Sequence, residues 1–220
     1  MRLNGLVMLK NLINLIYPTL CRSCNKLIHM ESIFCFDCQS KMSLAVPLLL
    51  PLTNRRSLSV YAASLYKEPV KNLIYKKFSY DTLACKQMGE LMVEFIPFDV
   101  IMPDVLVPVP LHWSRFAWRG YNQSELIAQR IGKLLNVPVI NILKRNRRTI
   151  FQSRLSSQDR QKNVENVFCL NYSFSKEFEG KNIVIVDDLF TSGATVKSAA
   201  KVLVQLNSSS ITAAVFCRAI

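Results

Sequence analysis

The chain lacks any hydrophobic run long enough to cross a bilayer. Its longest apolar region, 91–111, is interrupted by Glu94, Asp99 and Asp104 and by Pro97, Pro103, Pro108 and Pro110, so it cannot span as a clean helix. No export signal is expected either. Gly5–Leu9 is a short apolar run cut by Lys10 and Asn11, with no small-residue cleavage site after it. There is no internal repeat and no low-complexity tract, and Gly and Pro number only 6 and 9. With half of the residues apolar, this composition argues for a packed core over disorder. Neither a GxxxxGK[ST] nor a GxGxxG pattern occurs, which disfavours nucleotide-triphosphate and dinucleotide cradles.

Acidic residues are scarce as well. There are 15 Asp and Glu against 28 Lys and Arg, for a net charge of +13. The surplus is uneven: His112–Lys162 holds eleven basic residues against Glu125 and Asp159. Such an excess favours polyanionic partners or simply solubility.

The 220 residues suit one medium domain with a small appendage. Leu6, Leu9, Leu12, Ile13 and Ile16 recur at helical spacing, which predicts an amphipathic helix docked on the body. We expect residues 1–46 to hold this helix and a small cysteine module. Residues 47–58 are expected as a stiff connector and 59–220 as the main domain. Strands are expected over Ser59–Leu65, Asp104–Val109, Val137–Leu143, Asn166–Leu170, Ile183–Val186 and Ile211–Cys217. Helices are expected over Pro69–Phe78, Ala84–Phe95, Asn122–Leu135 and Val196–Leu206. Asn122 with Glu125 resembles a capping box. The alternation predicts an α/β fold with a parallel sheet covered by helices. Ligands of such sheets sit beyond the carboxyl ends of the strands.

Seven cysteines without an export signal argue against a disulfide framework. Cys85, Cys169 and Cys217 read as buried thiols. The other four form Cys21-x-x-Cys24 and, ten residues on, Cys35-x-x-Cys38. Two such knuckles complete a tetrahedral four-thiolate site whose usual occupant is Zn²⁺. Four protein ligands leave no open position, so the metal is expected to be structural. In a segment this small, ligation would supply much of the folding energy.

The most informative chemistry runs from Ile183 to Thr195. An apolar strand delivers Asp187 and Asp188, and Leu189-Phe190 then leads into Thr191, Ser192, Gly193, Ala194 and Thr195, where a helix opens. Hydroxyls and backbone N–H groups at a helix N-terminus suit a phosphate. Gly193 permits the unusual dihedral and close approach that such a loop needs. The two carboxylates would repel a phosphate but accept from the vicinal hydroxyls of a ribose. The expected ligand is therefore a ribose 5-phosphate.

A second block follows a strand that ends in proline: Val107-Pro108-Val109-Pro110-Leu111-His112, then Arg115 and Arg119-Gly120-Tyr121-Asn122-Gln123. Arginines fork onto phosphate oxygens. Trp113, Phe116, Trp118 and Tyr121 interleave with them, a pattern that suits single-stranded nucleic acid, where bases stack while phosphates pair. Trp113 and Phe116 read equally as core. The basic stretch Lys144–Arg160, with Arg145, Arg147, Arg148 and Arg154, reads as a flap over the site, a docking face for DNA or a solvated loop.

These three blocks, with a looser fourth (Thr149, Gln152, Leu155, Arg160, Asn163, Phe168), resemble the ComF family of bacterial competence proteins. That family joins a four-cysteine zinc module to a type I phosphoribosyltransferase domain. The resemblance implies that Asp187 and Asp188 contact the ribose hydroxyls of phosphoribosyl pyrophosphate. It implies that Thr191–Thr195 hold the 5-phosphate, and that the loop after Val109 sits where relatives hold pyrophosphate. His112, Arg115, Arg119, Tyr121, Asn122 and Gln123 are expected at pyrophosphate or DNA. Ser192 stands where Thr is more frequent and keeps the hydroxyl. The family role implied is natural transformation: handling incoming single-stranded DNA in the cytoplasm, near the inner membrane, beside channel and helicase-like proteins. The alternative is an active phosphoribosyltransferase using Mg²⁺ with the pyrophosphate donor; the sequence offers no clear general base or acceptor pocket.

Overall fold

The computed structural model describes residues 19–28, 32–75, 82–111, 113–145, 167–171 and 177–219, with Tyr75, Ser114 and Arg115 described in backbone only. The expected N-terminal helix, His112, the side chain of Arg115 and most of the basic stretch lie outside the described residues. So does most of the looser fourth block.

Five strands form the central sheet: β1 (Leu48–Pro51), β2 (Ser57–Leu65), β3 (Val105–Pro108), β6 (Asn182–Phe190) and β7 (Ser210–Arg218). Their order is β1-β2-β7-β6-β3. All neighbours are parallel except the edge pair β1–β2. A separate antiparallel pair joins β4 (Leu143–Arg145) to β5 (Phe168–Leu170). The helices are α1 (Phe36–Gln39), α2 (Val70–Tyr75), α3 (Thr82–Phe95), α4 (Phe98–Ile101), α5 (Trp113–Arg119), α6 (Gln123–Leu135) and α7 (Ala194–Leu203), the last followed by a 3₁₀ turn at Val204–Leu206. No helix among the described residues is long and apolar enough to cross a membrane.

The sheet is α/β because it is buried on both faces, as its unbroken apolar strands require. Period-two alternation splits β6 cleanly. Ile183 and Ile185 join one core with Val196, Ala199, Ala200 and Leu203 of α7. Val184 and Val186 join the other, with Met88 and Met92 of α3 and Ile127 and Ile131 of α6. Each fully buried side chain of this size contributes about 1.5–3 kcal/mol. Helices α3 and α6 approach closely at Gly89, where an added Cβ would lie 2.9 Å from Cβ of Arg130. Glu90 and Arg130 form an ion pair beside that crossing.

The cysteine module is fastened to the second core. Cys21, Ile33, Phe34, Cys38 and Met42 belong to the same buried cluster as Met88 and Met92. The Gln87 side chain donates to the carbonyl of Ser32 at 3.0 Å, and that of Gln39 donates to Glu94 at 3.2 Å.

Several local expectations change. The segment read as a connector forms edge strand β1, paired with β2 from Leu48↔Val60 to Pro51↔Ser57. Its proline ends an edge strand, where a missing ladder donor costs little. Val137–Leu143 is mostly irregular; Val139 makes only an isolated bridge to Leu106, and the strand proper starts at Leu143. The capping box does not form. Asn122 occupies the N-cap of α6 without a side-chain cap, and the Glu125 carboxylate accepts instead from Asn141 at 2.8 Å. Residues 113–119, for which no element was expected, form helix α5.

Candidate ribose-phosphate site and four-thiolate cluster

The carboxyl end of β3 lies beside Val186 of β6, just before the two acids, in register from Val105↔Ile183 to Pro108↔Val186. Beyond them the chain brings the two main sequence blocks together. Val109 couples them directly: its N–H donates to the carbonyl of Val186 at 3.0 Å. Its own carbonyl accepts from the Asn122 side chain at 3.0 Å.

Strand β6 runs further than its apolar run suggested, so Asp187 and Asp188 are strand residues, with Asp187 paired to Val215. Asp187 is buried and Asp188 half-buried. Burial, with the neighbouring charge of Asp188, pushes the Asp187 carboxyl up to about 8, against hydrogen bonds from Ser124 and the Asp188 amide and the charge of Arg145. Asp188 is also raised by burial, opposed first by the positive charge of Arg119. Each acid therefore has an arginine acting on it. Arg119 comes from the end of α5, and Arg145 comes from β4, where its guanidinium lies 5.6 Å from the Phe168 ring centroid.

After Phe190 the chain bends through Thr191 and Ser192, and Gly193 opens α7 in the left-handed region at φ 73°. A Cβ on Gly193 would lie 2.7 Å from the Phe190 ring, so only glycine fits both the dihedral and the space. Ser192 is exposed, and Thr191, Ala194 and Thr195 are half-buried. The first-turn N–H groups of α7 thus open toward an accessible loop, as an anion requires.

The block after β3 contributes polar atoms with unspent hydrogen-bonding capacity. Nε of Arg119, Oδ1 of Asn122 and Nε2 of Gln123 are buried and have no hydrogen-bond partner among the described residues. The orientations of the two amides are fixed by their other ends: Asn122 donates to Val109, and Gln123 accepts from Arg119 at 2.8 Å. Unsatisfied buried groups cost roughly 1–3 kcal/mol each. These groups lie on the segment whose Arg119 acts on Asp188 and whose Ser124 bonds Asp187, so they border the acids.

Trp113, Phe116 and Trp118 are exposed by 73%, 48% and 61%, so α5 presents its aromatics outward and the core reading of Trp113 and Phe116 fails. Arg119 stacks over Trp118, 5.9 Å from the ring centroid. Tyr121 is half-buried against the second core. Sequence reasoning did not find Ser124, whose hydroxyl donates to Oδ1 of Asp187 at 2.8 Å. The only signal was its position directly after Gln123. Arg145 was read as part of a basic stretch and emerges as a partner of the acids.

The four cysteine sulfurs Cys21, Cys24, Cys35 and Cys38 all lie within 4.8 Å of one another, with Cys24 and Cys35 3.6 Å apart. Tetrahedral thiolates around an ion at about 2.3 Å sit about 3.8 Å apart, so the set can hold a metal ion. The cluster is polarised in advance. At Cys21, burial opposes ionisation, but N–H groups of Cys24, Cys35 and Ser23 outweigh it and bring the thiol down to about 6. Burial and the surrounding thiols push Cys38 up to about 12, so its ionisation calls for a cation at the centre.

A sheet of this order with acids at the end of β6 and an anion-ready α7 defines a class, the phosphoribosyltransferase domain. The family model described as "Phosphoribosyl transferase domain" matches residues 126–220. Among named relatives, competence protein F of Haemophilus influenzae is 39% identical over 106 residues, 48% of this chain and 46% of that one. DNA utilization protein YhgH of Escherichia coli is 31% identical over 161 residues, 70% of this chain and 69% of that one. Competence protein ComFC of Bacillus subtilis is 32% identical over 113 residues, covering 49% and 42%. The chain belongs to the ComF family.

Proposed function

We propose that this protein serves DNA uptake in natural transformation, handling single-stranded DNA while carrying a site for phosphoribosyl pyrophosphate or a related ribose 5-phosphate. The observation that carries the ribose-phosphate part is the meeting of three features. They are the carboxylates of Asp187 and Asp188, the Gly193-opened end of α7, and the unsatisfied polar atoms of Arg119, Asn122 and Gln123. In this reading, Asp187 and Asp188 accept from the ribose 2- and 3-hydroxyls. Thr191, Ser192, Gly193, Ala194 and Thr195 take the 5-phosphate through N–H and hydroxyl donors. Arg119 and Gln123 turn their free N–H groups to pyrophosphate, or to a DNA phosphate. Tyr121 packs behind them, and His112 and Arg115 belong to the same segment. Mg²⁺ would arrive bound mainly through the donor's own oxygens.

Support for the DNA role comes from the net charge of +13, the outward Trp113, Phe116 and Trp118 and the names of the relatives. Bases would stack on α5 while basic side chains pair with phosphates. Zn²⁺ is the ion best suited to four thiolates at this spacing, and it would be structural. Action in the cytoplasm, at the inner face of the membrane beside helicase-like and channel proteins, completes the role.

Binding of a single-stranded oligonucleotide across a salt series tests the DNA role. Its affinity is expected to fall steeply with salt, and Trp113→Ala with Trp118→Ala to weaken it roughly tenfold or more. Salt-independent binding, or binding untouched by that pair, would refute it. The phosphoribosyl donor should bind with Mg²⁺, and Asp187→Asn with Asp188→Asn should abolish that binding; retention would remove the site. Release of pyrophosphate in the presence of a nitrogen nucleophile separates the active enzyme from a binding protein. There the bond from C1 to the pyrophosphate oxygen would break as the C1–N bond forms, the donors at Arg119 and Gln123 stabilising the departing charge.

A further inference from the structure

The first turn of α6 spends its polar side chains away from itself. Asn122, at the N-cap, donates to Val109 and leaves the helix uncapped. Ser124 is 5% exposed, and its hydroxyl reaches Asp187, 63 residues further along the chain. Both hydrogen bonds to the Asp187 carboxyl go to the same oxygen: Ser124 Oγ at 2.8 Å and the Asp188 N–H at 3.0 Å meet at Oδ1. Oδ2 receives neither.

We propose that Ser124 is a positioning residue for the sugar-binding acid: by committing Oδ1 to the protein, it turns Oδ2 of Asp187 toward the vicinal hydroxyls of a ribose phosphate. This rests on the ribose-phosphate reading above. Two donors on one oxygen fix the rotation of the carboxyl group, which in a buried aspartate is otherwise softly held. A hydroxyl donor also favours the ionised carboxylate over the acid, and the N-terminal end of α6 adds its positive dipole on the same side.

The surroundings make that help consequential. Asp188 on the same strand opposes ionisation of Asp187, and Arg145 from β4 assists it. Arg119 from α5 acts on Asp188. From β7, Cys217 lies within range of both acids; burial and those two carboxylates raise its thiol, so it adds no negative charge near neutrality. Ser124 donates a side-chain hydrogen bond to Asp187, and a hydrogen bond between the two carboxyl side chains favours ionisation of Asp188. An ionised Asp187 is the form that accepts from two hydroxyls, so ligand affinity grows with pH through its titration. Loss of Ser124 moves that titration to higher pH.

The test is calorimetric titration of ribose 5-phosphate into the full chain from about pH 6 to about pH 9. Inorganic phosphate serves as a probe of the α7 end alone. Ser124→Ala should weaken ribose 5-phosphate by roughly ten- to a hundredfold, the range of one hydrogen bond to a charged group. It should shift the pH midpoint of binding upward and leave phosphate affinity unchanged. Ser124→Thr, which keeps a hydroxyl, should retain the parent midpoint. An unchanged midpoint and affinity in Ser124→Ala overturns the proposal, and so does an equal loss for both probes. If the unsubstituted protein binds no ribose 5-phosphate at any pH, the ribose-phosphate reading beneath it falls instead.

Discussion

The side-chain amide of Asn122 donates to the carbonyl of Val109 at 3.0 Å, and both groups are buried. That bond holds the start of α6 against the loop leaving β3, while the Val109 N–H holds the same loop to Val186, next to the acids. Asn122→Ala leaves the Val109 carbonyl without its donor. A cost of about 1–3 kcal/mol is expected, read as a lower urea midpoint. Asn122→Asp keeps the shape but sets a carboxylate against that carbonyl, so its midpoint should fall further at neutral pH. A Val109 loop that tolerated Asp as well as Ala would show that the bond does not order this segment.

Gly193 is constrained twice, by a φ of 73° and by the Phe190 ring 2.7 Å from where a Cβ would stand. Gly193→Ala therefore strains the backbone and forces the ring aside. Together these are expected to cost about 2–4 kcal/mol, a drop in melting temperature of roughly 5–15 °C for a chain of this size. Phosphate affinity should be lost as well, because the loop that presents the α7 amides moves. A smaller residue at 190, in Phe190→Leu with Gly193→Ala, should return part of the stability by giving room. The dihedral strain, and with it the phosphate defect, should remain.

The parts of this architecture that were legible in the sequence are those written in local chemistry. Ile183–Val186 announced a strand buried on both faces because no polar residue interrupts it, and the structure puts alternate members into two cores. The two CxxC pairs announced convergence because each knuckle fixes its own geometry, and their sulfurs meet. What escaped depends on distant pairing. Residues 47–53 looked like a connector because their two prolines and four leucines have no period; Leu48–Pro51 is a strand only because β2 offers a free edge. Ser124 looked like an ordinary first-turn serine because its partner lies on another strand. Glu125 looked like a capping residue, yet Asn141 takes its carboxylate. The aromatics of α5 were ambiguous, since exposure is decided by which neighbours the fold supplies.

Asp187 makes stability depend on pH in a defined direction. Its carboxyl is raised from 3.8 to about 8 by burial and by Asp188. Between those two values the folded protein keeps a proton that the unfolded chain has released. Stability is therefore greatest below the unfolded pKa and declines as pH rises through this window. Asp188, also raised, acts in the same sense. Asp187→Asn removes its contribution, so the variant should lose less melting temperature than the parent between about pH 5 and about pH 8. Thermal melts of both proteins at the two pH values check this. Parallel slopes would mean that Asp187 is ionised throughout and that its burial is offset by other groups.

The four-thiolate cluster should govern more than its own module. Cys21 and Cys38 belong to a core shared with Phe34, Met88 and Met92, so loosening the cysteines exposes the face of α3 that the module covers. Cys38 is the sensitive member. Its thiol is held up near 12 by burial and by the other cysteines, so as a thiolate it requires a metal, and as a free thiol it leaves a partly polar cluster under the core. A strong chelator is therefore expected to lower the melting temperature of the whole chain, not merely to melt a separate unit. The size expected is at least about 2 kcal/mol, the scale of uncovering one or two large apolar side chains. Cys38→Ser should reproduce the loss and become insensitive to further chelation, while Cys169→Ser, at a thiol outside the cluster, should respond to the chelator as the parent does. Differential scanning calorimetry with metal analysis of the same samples measures both halves. Metal leaving with no change in the main transition would mean that the shared core stands without the ion.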